Sequence, residues 1–146
     1  MNPDLLKART KKFAIACLAI CKRIPPVPEN NVLKIQLSKS GTSVGANYRA
    51  ACRARSQNEF IAKLSIVNEE ADESCYWLEV ITEGEVLADA ETFKLLKEAN
   101  ELNAIFTASA KTAKMNRWLK QQGDKEIKSR KKIEQNWTRL NKIDQN

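Results

Sequence analysis

Apolar positions recur along this chain with the period of an α-helix in four successive segments. In the first, Leu6, Thr10, Phe13, Cys17, Ile20 and Ile24 alternate spacings of four and three, which places them on one stripe. Pro3 behind Asn2 suits a helix start, since the first turn has no use for proline's missing N–H; Pro25, Pro26 and Pro28 end it. The second segment, about Asn30 to Ala54, carries Leu33, Leu37, Ser40, Val44, Asn47 or Tyr48, and Ala51. Ser56-Gln57-Asn58-Glu59 then matches a capping box, with the serine hydroxyl accepting from Glu59 N–H while the glutamate reaches back. Phe60, Leu64, Val67, Ala71, Ser74, Leu78 and Ile81 follow as a coiled-coil-like seam. A second apolar set, Ile61, Cys75, Trp77 and Val80, widens the buried arc beyond what one neighbouring helix covers. Gly84 to Asp89 reads as a turn, with Asp89 capping a helix that carries Phe93, Leu96, Ala99, Leu102, Phe106, Ser109 and Ala113.

No segment keeps a period of two, so no strand is expected. Short connections make sequential helices antiparallel, and the pattern predicts an all-α, up-down-up-down four-helix bundle over residues 1–117. A basic C-terminal extension, residues 118–146, follows. Gly123 is expected to end or interrupt the fourth helix, and Ile133, Trp137, Leu140 and Ile143 give the extension either a short amphipathic helix or a segment that orders on contact. The second helix has an unusual middle. Gly41, Ser43, Gly45 and Ala46 remove side-chain bulk, and each helical glycine costs about 1 kcal/mol relative to alanine. Close approach of a neighbouring helix would offset that cost; a local kink is the alternative.

Composition narrows the function. At 146 residues, 42% hydrophobic and 29% charged, the chain is sized for one folded domain with a tail. It has no apolar run fit to cross a membrane, and its first residues lack a signal peptide's layout, so a cytoplasmic protein is expected. Cys17, Cys21, Cys52 and Cys75 fall within apolar helical patterns and read as reduced core thiols; Cys17 and Cys21 lie one turn apart, but the other two show no matching zinc spacing. The sequence contains no histidine, which removes the Glu-x-x-His motif of di-iron bundles and the usual base of a nucleophilic triad. Gly41 and Gly45 lack the spacing of a phosphate loop. A non-enzymatic protein without cofactor or metal is expected.

Charge is distributed in blocks. Residues 1–68 hold twelve Lys/Arg against three Asp/Glu, residues 69–101 two against eleven, and residues 111–146 eleven against four. Such segregation points either to a polyanionic partner or to charge matching between neighbouring elements. Lys39, Arg49, Arg53 and Arg55 on or near the second helix, and Lys128, Arg130, Lys131 and Lys132 in the extension, are the candidate phosphate contacts, with Trp137 a candidate stacking group or helix anchor. Their alternative role is solubilising charge or pairing with the acidic third helix. Trp77 and Val80, left over on the third helix, are candidate oligomer contacts.

Leu37-Ser38-Lys39-Ser40-Gly41-Thr42-Ser43-Val44-Gly45-Ala46-Asn47-Tyr48-Arg49, followed by Glu59-Phe60-Ile61-Ala62-Lys63-Leu64 and by Glu69-Glu70-Ala71-Asp72-Glu73 up to Tyr76-Trp77-Leu78-Glu79, resembles a bacterial four-helix-bundle family. That family includes proteins encoded in intervening sequences of 23S ribosomal RNA genes and the accessory variability protein of diversity-generating retroelements. The likeness covers about residues 5–115. It implies a bundle that assembles into a homo-oligomeric ring, typically a pentamer, with basic surface; in the retroelement members the ring binds nucleic acid and a reverse transcriptase. By the same resemblance Gly41, Ser43, Gly45 and Asn47 form a helix-packing motif, and Arg49 and Arg53 belong to the basic face. The function this suggests is an oligomeric accessory protein that binds RNA or DNA, with a reverse transcriptase or other nucleic-acid-processing enzyme as a partner. The alternative is an oligomeric scaffold with no nucleic-acid binding of its own.

Overall fold

Four helices account for nearly all of the computed structural model, which describes residues 2–143, with side chains described as far as Gln135. They are α1 (Pro3–Arg23), α2 (Asn31–Ala51), α3 (Gln57–Glu83) and α4 (Ala90–Ile143), with one 3-10 turn at Pro28–Asn30 before α2. No strand occurs among the described residues. The chain divides into two compact units, residues 1–111 and 112–146, and the first holds the bundle.

Each start has a chemical cause. Asn2 Oδ1 accepts from Asp4 N at 2.9 Å to cap α1. Ser56 Oγ accepts from Glu59 N at 3.1 Å, as the capping box predicts, but the glutamate returns to Arg55 N at 2.9 Å rather than to the serine's own amide. Asp89 Oδ1 accepts from both the amide and the hydroxyl of Thr92, each at 2.9 Å. α3 ends in a Schellman arrangement, with Val86 N bonded to Ile81 O and Glu85 N to Thr82 O. The left-handed residue of that cap is Glu85, at φ 57°, and not the glycine before it.

All six expected α1 positions are buried, as are Leu33, Leu37, Ser40, Val44, Tyr48 and Ala51 on α2; at the ambiguous position Tyr48 faces the core and Asn47 does not. The Tyr48 and Phe106 rings meet with centroids 5.4 Å apart. On α3 the seam runs through Leu64, Val67, Ala71, Ser74, Leu78 and Ile81, but Ile61 rather than Phe60 fills its first position. On α4 the expected stripe is out of phase at the start. The Asp89 cap holds Thr92 inward, so Thr92 and Leu95 are buried while Phe93 is 51% exposed and Leu96 only half-buried. Cys52, expected in the core, is exposed, because α2 stops at Ala51 and leaves it in the turn.

Adjacent helices run antiparallel. α1 contacts α2 and α2 contacts α3. Between α3 and α4, Asn103 Nδ2 donates to Asp72 Oδ1 and Thr107 Oγ1 to Asn68 Oδ1, so partners fall on one helix as they rise on the other. α1 and α4 show the same order, with Arg9 on Glu98 and Glu101, and Arg23 on Asp89 and Glu91. The middle of α2 is closely packed and carries no break: a Cβ on Gly41 would lie 2.6 Å from Cys17 Sγ, and one on Gly45 3.3 Å from Thr10 Oγ1. Close approach of α1 is therefore what offsets the helical glycines.

α4 runs unbroken through Gly123, where a stop was expected. A Cβ at Gly123 would meet nothing within 4 Å, so this glycine costs the helix only its poor propensity, and Lys120, Gln121, Gln122, Lys125 and Glu126 around it are good helix formers. In the second unit Met115, Trp118, Leu119, Ile127 and Ile133 are exposed. The side chains of Trp137, Leu140 and Ile143 lie outside the described residues.

Candidate nucleic-acid interface

The contact of Gly45 with Thr10 and of Gly41 with Cys17 fixes the register of α2 on α1. Antiparallel packing in that register sets the first turns of α1 beside the last turn of α2. The result is a shallow pocket of about 250 Å³ lined by Lys7, Ala8, Lys11, Arg49 and Arg53, with cations at every position but one. Lys7 Nζ lies 3.0 Å from Asp4, whereas Lys11, Arg49 and Arg53 have no carboxylate within ion-pair distance among the described residues. Arg53 stands past the helix end, where its amide bonds to Ala50 O at 3.1 Å. Four cations, three on two helices and Arg53 just past the end of α2, unshared with acidic neighbours except at Lys7, make a surface whose complement is a chain of phosphates.

The remaining sequence candidates are placed elsewhere. Lys39 lies ten residues back along α2, and its charge acts on Glu70 of α3. Burial raises the Glu70 carboxyl above the usual range, and the neighbouring Glu73 and Glu69 push the same way against Lys39. Arg55 sits in the α2–α3 turn with Nε 3.6 Å from Glu59, an exposed pair of little energetic consequence. The hydrogen bond donated by the Arg55 backbone N–H holds the Glu59 carboxyl below its ordinary value. Lys128, Arg130, Lys131 and Lys132 are all exposed on the second unit's helix; Lys128, Lys131 and Lys132 share a face by their three- and four-residue spacing, and Arg130 points away from it.

Ser43 and Asn47 serve the helix itself, Asn47 Nδ2 donating to Ser43 O at 2.9 Å. Trp77 and Val80 are each half-buried; the indole N–H donates to Glu73 at 3.1 Å and the ring meets Tyr76 edge-on at 4.9 Å. Burial pushes the Cys17 thiol up, and Cys75 up to about 11, so neither is a thiolate at neutral pH. Among the described residues no three His, Cys, Asp or Glu side chains are grouped to hold a metal ion, and no helix is long and apolar enough to cross a membrane.

The sequence reading missed Lys7 and Lys11. Their four-residue spacing was visible, but nothing in α1 alone shows that α2 would bring two arginines alongside. Charge in the first unit also separates by end. Lys7, Lys11, Arg49, Arg53 and Arg55 cluster where α1 and α3 begin and α2 ends; Glu79, Glu83, Glu85, Asp89 and Glu91 cluster where α3 ends and α4 begins, with Arg23 paired to the last two.

A family model described as 23S rRNA-intervening sequence protein matches residues 6–108. Among solved structures, a protein of unknown function from the S23 ribosomal protein family of Bacteroides thetaiotaomicron VPI-5482 is 31% identical, with a TM-score of 0.66, over 72% of this chain and 97% of that one. No curated protein matches the chain.

Proposed function

The chain belongs to the 23S rRNA-intervening sequence protein family, and on that footing we propose that it is a non-enzymatic accessory protein that binds nucleic acid through its phosphates. The observation that carries this reading is the pocket shared by Lys7, Lys11, Arg49 and Arg53. No neighbouring carboxylate neutralises its last three cations among the described residues, and α1, α2 and the turn that closes α2 bring them to one place. The exposed cations of the second unit add a further phosphate-binding surface. Single-stranded or structured RNA and DNA are the fitting ligands, since phosphate contacts position a protein without reading sequence. A nucleic-acid-processing enzyme, a reverse transcriptase among them, is the fitting protein partner by resemblance.

Affinity for generic RNA and DNA, measured as a function of salt, tests the proposal. Lys11→Ala, Arg49→Ala and Arg53→Ala each remove one phosphate-binding cation, and each should lower the slope of log affinity against log salt by about 0.7 to 0.9. Deleting residues 118–146 weakens binding further while the bundle stays folded. If the intact protein binds no nucleic acid at low salt, the reading fails and an oligomeric scaffold replaces it. One observation favours that second reading: on α3, Tyr76 is 55% exposed beside the half-buried Trp77 and Val80, an apolar patch suited to self-association. Light scattering that reports a monomer at micromolar concentration removes it, and with it the ring implied by resemblance.

A further inference from the structure

The seam where α3 packs on α4 is acidic and aromatic on its outer side. Asn103 on Asp72, at 2.9 Å, and Thr107 on Asn68, at 2.8 Å, fix its register. In that antiparallel order Glu79 is level with Leu96, and Glu83 with Thr92 and Phe93. Asp72, Tyr76, Glu79 and Glu83 follow at spacings of four, three and four, so they share one stripe of α3; Phe93, Leu96 and Asn100 line the facing edge of α4. Tyr76 and Phe93 are exposed, and Leu96 is half-buried. Among the described residues no Lys or Arg lies within ion-pair distance of Glu69, Asp72, Glu79 or Glu83. The cations nearest in sequence, Lys94 and Lys97, line the cleft on the α1 side of α4 instead.

The second unit carries the complementary pattern, on a helix that lies beyond the family match ending at residue 108. Met115, Trp118 and Leu119 are exposed on one side of it, and Ile133 returns to that side. Lys125 and Lys132 follow Trp118 at seven-residue intervals and flank this apolar strip along one edge. Glu126 shares the strip's side but is outnumbered there by Lys125, Arg130 and Lys132. Two such strips facing each other would set lysine against lysine, which directs the helix to an acidic surface rather than to its own kind. A seven-residue step, about 10.5 Å along a helix, returns to nearly the same side. One step from Trp118 reaches Lys125, and one step from Tyr76 reaches Glu69 in one direction and Glu83 in the other. A contact between the two aromatic rings therefore sets Lys125 level with a carboxylate whichever way the helices run.

We infer that the basic helix of the second unit docks on the α3–α4 seam of another copy of this chain, with Trp118 against Tyr76 and Phe93 and with Lys125 and Lys132 toward the seam's carboxylates. An amphipathic helix laid along a groove is a recurrent mode of recognition, and here apolar contact and charge agree on the partner. Lys120, Lys128 and Lys131 point away from the strip, so the docked helix still offers phosphates a basic face. The inference does not rest on nucleic-acid binding, whose pocket lies on α1 and α2.

Photo-cross-linking of the full chain tests it. A benzophenone amino acid replaces Phe93, and isotope-labelled and unlabelled chains are mixed after nuclease treatment. The expected product joins position 93 of one chain to residues 112–135 of a chain with the other label. Trp118→Ala, Lys125→Glu with Lys132→Glu, and Glu79→Lys with Glu83→Lys should each lower its yield several-fold. Mixing the two charge-reversed variants should restore it, because each then carries the other's complement. Either reversal changes the net charge of +7 by four, so both variants stay positive and overall attraction does not account for a recovery. Lys120→Glu with Lys131→Glu, the same change in charge on the outward side, should leave the yield as it is. Glu79 and Glu83 lie near the end of α3, where lysine suits the helix dipole, and circular dichroism checks that every variant is folded. Cross-links within one chain only, a product that disappears with nuclease, no recovery on mixing, or an equal loss in Lys120→Glu with Lys131→Glu would each overturn the inference.

Discussion

Adding one methyl group at Gly41 tests the packing that sets the basic pocket. A Cβ there would lie 2.6 Å from Cys17 Sγ and 2.8 Å from Cys17 Cβ, well inside contact distance, so α1 and α2 would have to separate. Overpacking of this kind costs about 1–3 kcal/mol, and replacing a helical glycine with alanine returns about 1 kcal/mol of propensity. Gly41→Ala is therefore expected to destabilise the bundle by about 1 kcal/mol, a fall in melting temperature of about 4 °C for a domain of this size. Gly45→Ala differs. Its Cβ would sit 3.3–3.4 Å from Thr10, so a shift of a few tenths of an ångström suffices and the propensity gain balances the crowding. Gly45→Leu, with three more carbons in the same space, should cost about 1–3 kcal/mol. Gly123→Ala meets no atom and should gain helical stability outright. Cys17→Ala removes the nearer of the two clashing atoms and should recover part of the Gly41→Ala loss, measured as a coupling energy in a double-mutant cycle. The reasoning is refuted if Gly41→Ala melts at or above the parent temperature, or if its effect matches that of Gly123→Ala.

Three further outcomes are expected. Glu85→Gly should stabilise the first unit by about 1 kcal/mol in urea unfolding, because it removes the side-chain penalty of the left-handed Schellman residue; a loss of stability would show that the glutamate makes a compensating contact. The Asp89 carboxyl is held below its ordinary value, first by the Thr92 amide and then by the Thr92 hydroxyl and Arg23, so it contributes stability above its unfolded pKa that is lost as pH falls through the folded one. Melting temperatures below about pH 4 should then decline less steeply in Asp89→Asn, which keeps a capping oxygen but cannot titrate, and parallel profiles would sink the assignment. Of the four thiols, Cys52 alone is exposed, so the native protein should react rapidly with one equivalent of an aromatic disulfide reagent and with four after denaturation; rapid loss of two in the native state would contradict the burial of Cys17, Cys21 and Cys75.

The fold was legible where periodicity and packing agree. The α1 stripe survives intact from Leu6 to Ile24 because every member faces the bundle axis and the prolines after it leave no choice of end. Phase failed at helix starts, where local hydrogen bonds outrank hydrophobicity: Thr92, a weak apolar candidate, is turned inward by Asp89, and Phe93, a strong one, is left outside. A glycine also misled. Gly123 suggested a stop in a helix whose neighbours are strong formers. The basic pocket was half legible. Arg49 and Arg53 stand out on their own helix, but Lys7 and Lys11 join them only through the α1–α2 register, which a one-dimensional pattern does not contain. Gly41 and Gly45 were the signal that fixes this register, once Cys17 and Thr10 are recognised as what they meet.

The separation of charge by end gives the first unit a permanent electric dipole along its helices, positive where Lys7, Lys11, Arg49 and Arg53 cluster and negative around Glu79, Glu83 and Glu85. In the field of a polyanion such a body feels a torque before it touches anything, and the torque turns its cationic end forward once the two are within about a Debye length. With nucleic acid as the proposed ligand, encounters that begin in the wrong orientation would thereby be converted into productive ones, and the association rate would exceed what the small area of the pocket alone allows. Because the torque is screened together with the attraction, raising ionic strength slows association through both at once. Neutralising Glu79, Glu83 or Glu85 at the far end would change that rate while leaving the contacts of the basic pocket as they are.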